Sequence, residues 1–320
     1  MRQQVRIGTT DLLVTPIGLG TNKVGGHNLF PNLNDEEGKA IVREALDLGI
    51  NFLDTAYIYG PEHSERLIGE VLKETGKRDS VILATKGAHK IGDDGKTTID
   101  NSPAFLREQV ENSLKRLQTD HIDLYYIHFP DEHTPKDEAV GELKKLKDEG
   151  KIGSIGVSNF SLEQLKQANI HGDVDVLQSN YNLLEREVEE EYFPYLIENK
   201  ISFVPYFPLA SGLLGGKYNK DTQLSDSQKK KPLFKDGNYE KNLAKIQHLH
   251  QIAKDLNSEV ANVVLAWYLT REPIDVVIPG TKDKHQLHNN LKTLDVKLSP
   301  EQIQHIDEVF APQPQGANQS

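Results

Sequence analysis

Short apolar segments alternate with longer amphipathic segments along nearly the whole chain. In the amphipathic segments apolar residues recur at helical spacing, as in Leu67, Ile68, Val71 and Leu72. Eight strands are predicted, beginning near residues 17, 52, 81, 122, 152, 174, 202 and 275. This alternation is typical of a parallel sheet, and eight βα units are the number that closes a barrel. The pattern therefore predicts an α/β protein with a (β/α)8 TIM-barrel fold.

Capping residues support the predicted helix boundaries. Asn34 or Asp35 can cap the start of the first helix, and Gly49 follows its end. Ser161, with Gln164 three residues later, forms a capping-box pattern. Before the first barrel strand, alternating residues on both sides of a Gly8-Thr-Thr-Asp turn predict an N-terminal β-hairpin.

The alternation of predicted strands and helices is interrupted between residues 208 and 237. This Gly- and Lys-rich stretch is too long for an ordinary βα connection, so an extended loop is predicted there. No linker divides the chain, and residues 1–320 are predicted to form a single barrel domain. The polar residues 311–320 are predicted to be a disordered tail.

Composition and charge exclude several classes of protein. With 37 Lys and Arg against 48 Asp and Glu, the net charge is −11, which disfavours nucleic acid or an anionic membrane as the main partner. The chain has no cysteine, which rules out disulfides and thiolate chemistry. The N-terminus lacks the apolar core of a signal peptide, and no apolar run reaches about 18 residues. A cytoplasmic protein is predicted.

Three predicted strands end in residues that can carry chemistry. Asp54, Lys86 and His128 lie at the ends of the second, third and fourth strands, and Tyr59 follows in the loop after Asp54. Taken singly, each has an ordinary structural interpretation, such as a helix cap, a salt bridge or a buried histidine. In a (β/α)8 barrel, however, catalytic groups sit at the C-terminal ends of different strands. The four residues together predict an active site.

A metal site after the fourth strand is the less favoured interpretation. His128, Asp131, Glu132 and His133 could supply ligands, but they lie in one loop, with no second ligand cluster elsewhere in the sequence. No metal is predicted.

Five segments of the chain resemble, in order, the signatures of the aldo-keto reductases. The resemblance spans about residues 5 to 310, and within the family it is greatest to the reductase associated with bacterial inositol-utilisation operons. The segments are residues 52–60 (FLDTAYIYG), 84–86 (ATK), 127–131 (IHFPD), 156–159 (GVSN) and 278–281 (IPGT).

The resemblance implies reversible, NADPH-dependent reduction of an aldehyde or ketone. In that reaction Tyr59 would be the general acid/base, Lys86 would lower the pKa of Tyr59, and Asp54 would hold Lys86. His128 would orient the carbonyl oxygen or assist proton transfer. Tyr57 has the wrong spacing from Asp54 and is expected to line the pocket.

The resemblance also assigns residues to the binding of NADPH or NADP+. Amide and hydroxyl groups would hold the nicotinamide carboxamide, Tyr206 would stack on its ring, a Gly-rich loop would cover the pyrophosphate, and Lys282 would contact the adenosine phosphate. The expected set is Gly20, Thr21, Asn22, Ser158, Asn159, Gln178, Tyr206, Leu209, Ser211, Gly212, Leu213, Lys217, Gly280, Thr281, Lys282, Gln286 and Asn290. For Lys282 and Gln286 a solvated helix start is the alternative.

Departures from the family pattern leave the substrate open. Phe207 replaces a serine common in relatives, and Phe129 and Asn22 stand where tryptophan is common. Gln286 replaces an arginine that in some relatives holds the 2′-phosphate. The expected partner is a small carbonyl compound, with no obligate protein partner. Two other functions were considered: a cofactor-sensing subunit of a larger assembly, and a Schiff-base aldolase that uses Lys86.

Overall fold

The predicted apolar segments form the strands of a parallel sheet. The computed structural model describes residues 3–235 and 237–312, except the side chain of Ser227. The strands are β1 (Val5–Arg6), β2 (Leu13–Val14), β3 (Leu19–Gly20), β4 (Phe52–Asp54), β5 (Ile82–Gly87), β6 (His89–Ile91), β7 (Thr97–Ile99), β8 (Ile122–Ile127), β9 (Ile152–Ser158), β10 (Val176–Asn180) and β11 (Ser202–Tyr206). Seven of them form one parallel sheet in the spatial order β11-β10-β9-β8-β5-β4-β3.

The eighth barrel segment closes the sheet without forming a regular strand. Parallel bridges join Ile17 to Val277 and Gly20 to Gly280 on one side. On the other side, Phe203 N–H donates to the Pro273 carbonyl at 2.6 Å. Proline has no N–H to give a sheet, and the segment lies between Pro273 and Pro279, so only isolated pairs form. The prediction of a regular strand from residue 275 was therefore wrong, whereas the (β/α)8 barrel is confirmed.

The helices occupy the amphipathic segments that separate the strands. They are α1 (Asp35–Asp47), α2 (His63–Thr75), α3 (Pro103–Leu117), α4 (Lys136–Asp148), α5 (Leu162–Ala168), α6 (Glu187–Glu191), α7 (Phe193–Asn199), α8 (Asp226–Lys229), α9 (Asn238–Asp255), α10 (Val260–Tyr268), α11 (Lys284–Leu291) and α12 (Pro300–Val309). The predicted caps are present: Asn34 accepts a hydrogen bond from Glu37 N–H, and Ser161 and Gln164 form the capping box. Ala210–Gly215 and Pro232–Phe234 form 3₁₀ turns within the predicted long loop.

The N-terminal hairpin packs against the interior of the barrel. Strands β1 and β2 pair in antiparallel fashion, as predicted. Ile7, Leu12 and Val14 lie in one apolar cluster with inward-facing residues of the sheet, among them Phe52 and Leu124. A second, larger cluster lies between the sheet and the surrounding helices.

Two further features concern regions outside the sheet. Strands β6 and β7 form a second antiparallel hairpin directly after β5, which the sequence analysis did not predict. In the part of the chain that the structure describes, no helix combines the length and apolar character needed to cross a membrane. Most of the predicted tail, residues 313–320, lies outside the described residues.

Candidate active site

A buried ion pair joins the ends of two neighbouring strands. Asp54 is the last residue of β4, and Lys86 lies near the end of β5. The Lys86 ammonium donates to Asp54 Oδ1 at 2.5 Å and to the Thr55 carbonyl at 2.8 Å. Gln178, on β10, donates to the second carboxylate oxygen of Asp54 at 3.0 Å. The barrel thus brings together three of the predicted residues from separate parts of the chain.

A glycine makes room for the aromatic ring that packs beside this pair. A Cβ on Gly156 would lie 2.3 Å from the ring of Tyr126, so no larger residue fits there without displacing the ring. The Tyr126 ring in turn packs 5.4 Å from Lys86 Nζ. Gly156 therefore allows an aromatic ring to pack beside the buried ammonium.

Tyr59 lies in a tight turn that carries it towards the ion pair. The centre of its ring lies 5.7 Å from Lys86 Nζ and 6.4 Å from the centre of the His128 ring, in an edge-on arrangement. The turn is held from outside by Asn28, whose side chain donates to the Ile58 carbonyl at 3.0 Å and accepts from Gly60 N–H at 2.7 Å. The predicted catalytic set of Asp54, Tyr59, Lys86 and His128 is therefore brought together.

The pKa of Tyr59 differs from the sequence-based expectation. Burial raises it well above the ordinary value, and the negative charge of Asp54 raises it further. Burial also lowers the pKa of Lys86, although Asp54, with which Lys86 is paired, opposes that shift. The expectation that Lys86 lowers the pKa of Tyr59 in the resting protein is thus not met, and Tyr59 carries a neutral phenol.

Tyr57, expected to line the pocket, packs its ring against an arginine. The Arg116 guanidinium lies 5.3 Å from the centre of the Tyr57 ring. Arg116 also pairs with Glu65 at 2.5 Å in a buried bridge between α3 and α2. Tyr57 therefore anchors the turn that carries Tyr59 to the surrounding helices.

An aromatic wall that includes one unpredicted residue lies beside His128. The ring of His89, in β6, contacts the rings of His128 and Phe129 at 4.9 and 5.5 Å between centres. His89 Nδ1 is buried and has no hydrogen-bond partner among the described residues. The sequence analysis missed His89 because it missed the hairpin. The Asp94-Gly95 pair before Lys96 and Thr97 was the available signal for that turn.

The residues expected to hold a nicotinamide carboxamide form a hydrogen-bonded group. Asn159 has a positive φ of 61°, which turns its side chain back to donate to the His128 carbonyl at 3.1 Å and to Ser158 Oγ at 3.1 Å. The Tyr206 hydroxyl donates to Asn159 Oδ1 at 2.7 Å. Ser158 is adjacent to Gln178 in the β9–β10 register. These four residues lie together at the ends of β9, β10 and β11.

The segment after β3 approaches the segment after residue 278. Thr21 is buried and its hydroxyl donates to the Asp54 carbonyl at 2.9 Å, so its side chain serves the fold. Asn22 Oδ1 is buried without a partner within the described part of the chain. A Cβ on Gly280 would lie 3.2 Å from that oxygen. Gly20 is bridged to Gly280. Gly20, Thr21 and Asn22 therefore border one region together with Gly280.

The Gly-rich loop has three successive residues in the left-handed region of backbone conformation. Ala210, Ser211 and Gly212 all have positive φ values, of 47°, 57° and 93°. Leu213 is fully buried in the core, whereas Lys217 is exposed. The Ser211 hydroxyl accepts from Lys231 at 2.9 Å, and Leu209, partly buried, packs on the core.

The start of α11 holds the remaining predicted residues. The Gln286 side chain accepts from Lys282 N–H at 3.1 Å, and Thr281 donates to the Asp283 carbonyl. Both side chains therefore stabilise the turn that precedes α11. Asn290 is buried and the Lys282 side chain is exposed. The sequence analysis missed Lys23, which lies near Lys282. Burial lowers the pKa of Lys23, and the positive charge of Lys282 lowers it further. The negative charge of Asp283 acts on Lys23 in the opposite direction, so two ammonium groups and one carboxylate lie at this edge.

The acidic residue of the rejected metal site is used structurally. The Asp131 carboxylate accepts from Asn101 N–H, from Thr134 and from Lys136, at 2.7 to 3.1 Å. These bonds and the Lys136 charge outweigh burial and hold the pKa of Asp131 well below its usual range.

Comparison with known proteins assigns the chain to a family. The family model described as "Aldo/keto reductase family" matches residues 16–311. The chain belongs to the aldo/keto reductase family. It is therefore an oxidoreductase.

Curated relatives agree with this assignment over most of their length. The aldo-keto reductase YhdN of Bacillus subtilis is 38% identical over 88% of this chain and 85% of its own. Probable aldo-keto reductase 1 of Glycine max is 35% identical over 96% of this chain and 88% of its own. Aldo-keto reductase yakc [NADP(+)] of Schizosaccharomyces pombe is 34% identical, covering 92% and 88%. The resemblance to the inositol-operon reductase within the family stays a prediction.

Solved structures show the same fold. The glycerol dehydrogenase AKR11B4 from Gluconobacter oxydans superposes with a TM-score of 0.90 at 32% identity, covering 99% of both chains. The aldo-keto reductase AKR11C1 from Bacillus halodurans superposes with a TM-score of 0.82 at 29% identity, covering 98% of both chains.

Proposed function

We propose that this aldo-keto reductase reduces an aldehyde or ketone with NADPH and that Tyr59 donates the proton. The observation that supports this most strongly is the position of Tyr59 between the buried Asp54–Lys86 pair and His128. Reduction of a carbonyl builds negative charge on its oxygen, and a proton donor placed there lowers the barrier.

The residues at the barrel mouth fit NADPH. Among the described residues, Asn22 offers a buried amide oxygen without a hydrogen-bond partner, and Lys23 and Lys282 bring two positive charges near one another, beside the one negative charge of Asp283. The positive φ values at Ala210, Ser211 and Gly212 turn the backbone of the Gly-rich loop out of the usual helical path. One relative carries NADP(+) in its name. Ser158, Asn159, Gln178 and Tyr206 would hold the nicotinamide end, and Lys282 the phosphate of the adenosine end.

When bound, NADPH would supply a hydride to the carbonyl carbon, and the protein would supply the proton. Because burial keeps Tyr59 a neutral phenol, it is in the form needed to donate. As the proton leaves, the negative charge on the phenol oxygen develops near Lys86, which stabilises it. Burial and the charge of Lys86 hold the pKa of His128 well below its usual range, so a neutral imidazole orients the carbonyl oxygen.

Replacement of Tyr59 by Phe tests this proposal. General acid catalysis contributes about 10²- to 10⁴-fold, so kcat for a reactive aldehyde should fall by about that factor in Tyr59→Phe. The dissociation constant for NADPH, measured by fluorescence titration, should not change. Tyr57→Phe, two residues away and packed on Arg116, is the matched control and should keep most of its turnover. Wild-type kcat in Tyr59→Phe would exclude the proton-donor role.

A hydroxylated carbonyl compound is the substrate class that we propose. His89 presents a buried Nδ1 without a partner among the described residues, beside the aromatic wall of His128 and Phe129. An unpartnered buried nitrogen favours a ligand that brings a hydroxyl group. One similar structure is a glycerol dehydrogenase. Glyceraldehyde should therefore have a higher kcat/KM than propanal, and His89→Leu should reduce that ratio about tenfold, since one hydrogen bond is lost. An unchanged ratio would contradict the assignment.

The aldolase alternative is weaker. Lys86 is fully buried and donates to both Asp54 and the Thr55 carbonyl. Attack on a carbonyl requires a free amine with access to the substrate. Borohydride should therefore trap no substrate on Lys86.

A further inference from the structure

Two histidines and an aspartate from three separate parts of the chain meet beside the barrel mouth. His27 lies in the loop after β3, Asp35 is the first residue of α1, and His63 is the first residue of α2. His27 Nε2 lies 2.7 Å from Asp35 Oδ1, and His63 Nε2 lies 2.8 Å from Asp35 Oδ2. The two imidazole rings are 5.4 Å apart between centres and tilted by 46°. This group lies outside the catalytic set.

We propose that His27, Asp35 and His63 form a binding site for a divalent transition-metal ion, of which Zn²⁺ is the best fit. One ligand atom from each residue lies within 4.8 Å of the others. Zinc binds imidazole nitrogen and carboxylate oxygen at about 2.0–2.2 Å, and two histidines with one carboxylate are a ligand set that leaves a position for water.

The charge and accessibility of the group suit a cation. Asp35 supplies a carboxylate whose two oxygens each face one imidazole nitrogen. The side chains of His27, Asp35 and His63 are 45%, 38% and 35% exposed, which lets an ion enter from solvent. The two imidazoles favour zinc, copper or nickel over magnesium or calcium.

The site is linked to the turn that carries Tyr59. His27 precedes Asn28, whose side chain bonds to the backbone on both sides of Tyr59. His63 follows the same turn and begins α2. The loop and the turn also pack closely, since a Cβ on Gly60 would lie 1.9 Å from the Gly25 carbonyl oxygen. A metal ion bound to His27 and His63 would hold the loop against the turn.

Calorimetric titration of the full, tag-free chain with zinc chloride, after removal of metal with EDTA, tests the site. We expect one high-affinity Zn²⁺ per chain. Loss of an outer-shell partner alone costs about 10- to 100-fold in affinity, so His27→Ala and His63→Ala should each weaken binding at least about tenfold. His27 is exposed in a loop, which keeps the test valid if His63→Ala fails to fold.

The matched control is a second pair of exposed histidines. His248 Nδ1 and His305 Nε2 lie 3.0 Å apart, and that hydrogen bond joins two imidazoles rather than an imidazole and a carboxylate. His248→Ala should bind Zn²⁺ as the wild type does. The proposal is overturned if the wild type binds no Zn²⁺, if His27→Ala binds it equally well, or if His248→Ala loses the binding.

Amide exchange tests the link to Tyr59 independently of any activity. Gly60 N–H donates to Asn28 Oδ1, so its exchange rate reports on the contact between the loop and the turn. Zn²⁺ should slow this exchange at least about tenfold in the wild type and leave it unchanged in His27→Ala, because only the wild type retains both imidazoles. An equal rate with and without Zn²⁺ in the wild type would show that the ion does not hold the turn.

Discussion

Lys86 Nζ lies 2.5 Å from Asp54 Oδ1, and both side chains are almost completely removed from solvent. Desolvation of two charges is costly, and their mutual attraction compensates only when the remaining hydrogen bonds are made. Here Thr55 and Gln178 make them. The Lys86 ammonium therefore lies near Tyr59 while its charge is balanced by the Asp54 carboxylate.

Removal of one partner should destabilise the protein more than removal of both. Lys86→Met leaves the Asp54 carboxylate buried, with Gln178 as its one remaining side-chain donor among the described residues, at an expected cost of about 3–5 kcal/mol in the free energy of unfolding. In the double variant Asp54→Asn/Lys86→Met no charge remains, and the new amide can still accept from Gln178. Urea denaturation should find the double variant more stable than Lys86→Met alone. A double variant as unstable as the sum of the single variants would contradict this interpretation of the pair.

The free energy of unfolding should depend on pH through two buried histidines. Burial lowers the pKa of His89 to about 4, and burial together with the Lys86 charge lowers that of His128 well below its usual value. Between about pH 6.5 and pH 4 the unfolded chain binds these protons and the folded chain does not. Stability is therefore complete above about pH 6.5 and falls on acidification.

Denaturation at pH 7.5 and pH 5 measures this effect. Each imidazole should contribute at most about 1.4 kcal/mol per pH unit below pH 6.5. His89→Gln removes one titrating group and should lose less stability than the wild type over the same interval. An identical loss in both proteins would mean that His89 is not held neutral in the fold.

The exposed Lys282 ammonium should distinguish NADPH from NADH. A charged hydrogen bond to the 2′-phosphate is worth about 1.5–3 kcal/mol, so Lys282→Ala should raise the dissociation constant for NADPH about tenfold or more. The constant for NADH should change little. Lys284→Ala is the matched control, because Lys284 is already paired with Glu44 at 2.8 Å. Equal changes for NADPH and NADH in Lys282→Ala would remove Lys282 from the phosphate site.

Strand ends were predicted well from the sequence because each is a local feature. Asp54 and Lys86 end apolar runs, and parallel strands place their ends at one edge of the sheet. Helix caps such as Asn34 and Ser161 are equally local, since they depend on residues no more than three positions away. These signals were sufficient for the fold class and for the four proposed catalytic residues.

Properties that depend on distant neighbours were not predicted correctly. The pKa of Tyr59 depends on how much water and how much of the Asp54 charge reach its ring, which no local pattern contains. The apolar pattern predicts a strand from residue 275, but the two prolines that flank this segment reduce it to isolated bridges. His89 was missed with its hairpin.

The sequence by itself determined the rhythm of strands and helices, and hence the barrel and the edge at which Asp54, Lys86 and His128 meet. This is possible because hydrophobic periodicity and capping are set by neighbouring residues. Only the tertiary structure decided which groups face each other across that edge and beside it. Burial, charge and distance between residues far apart in the chain are consequences of packing. The meeting of His27 with Asp35 and His63, and the neutral phenol of Tyr59, belong to that second class.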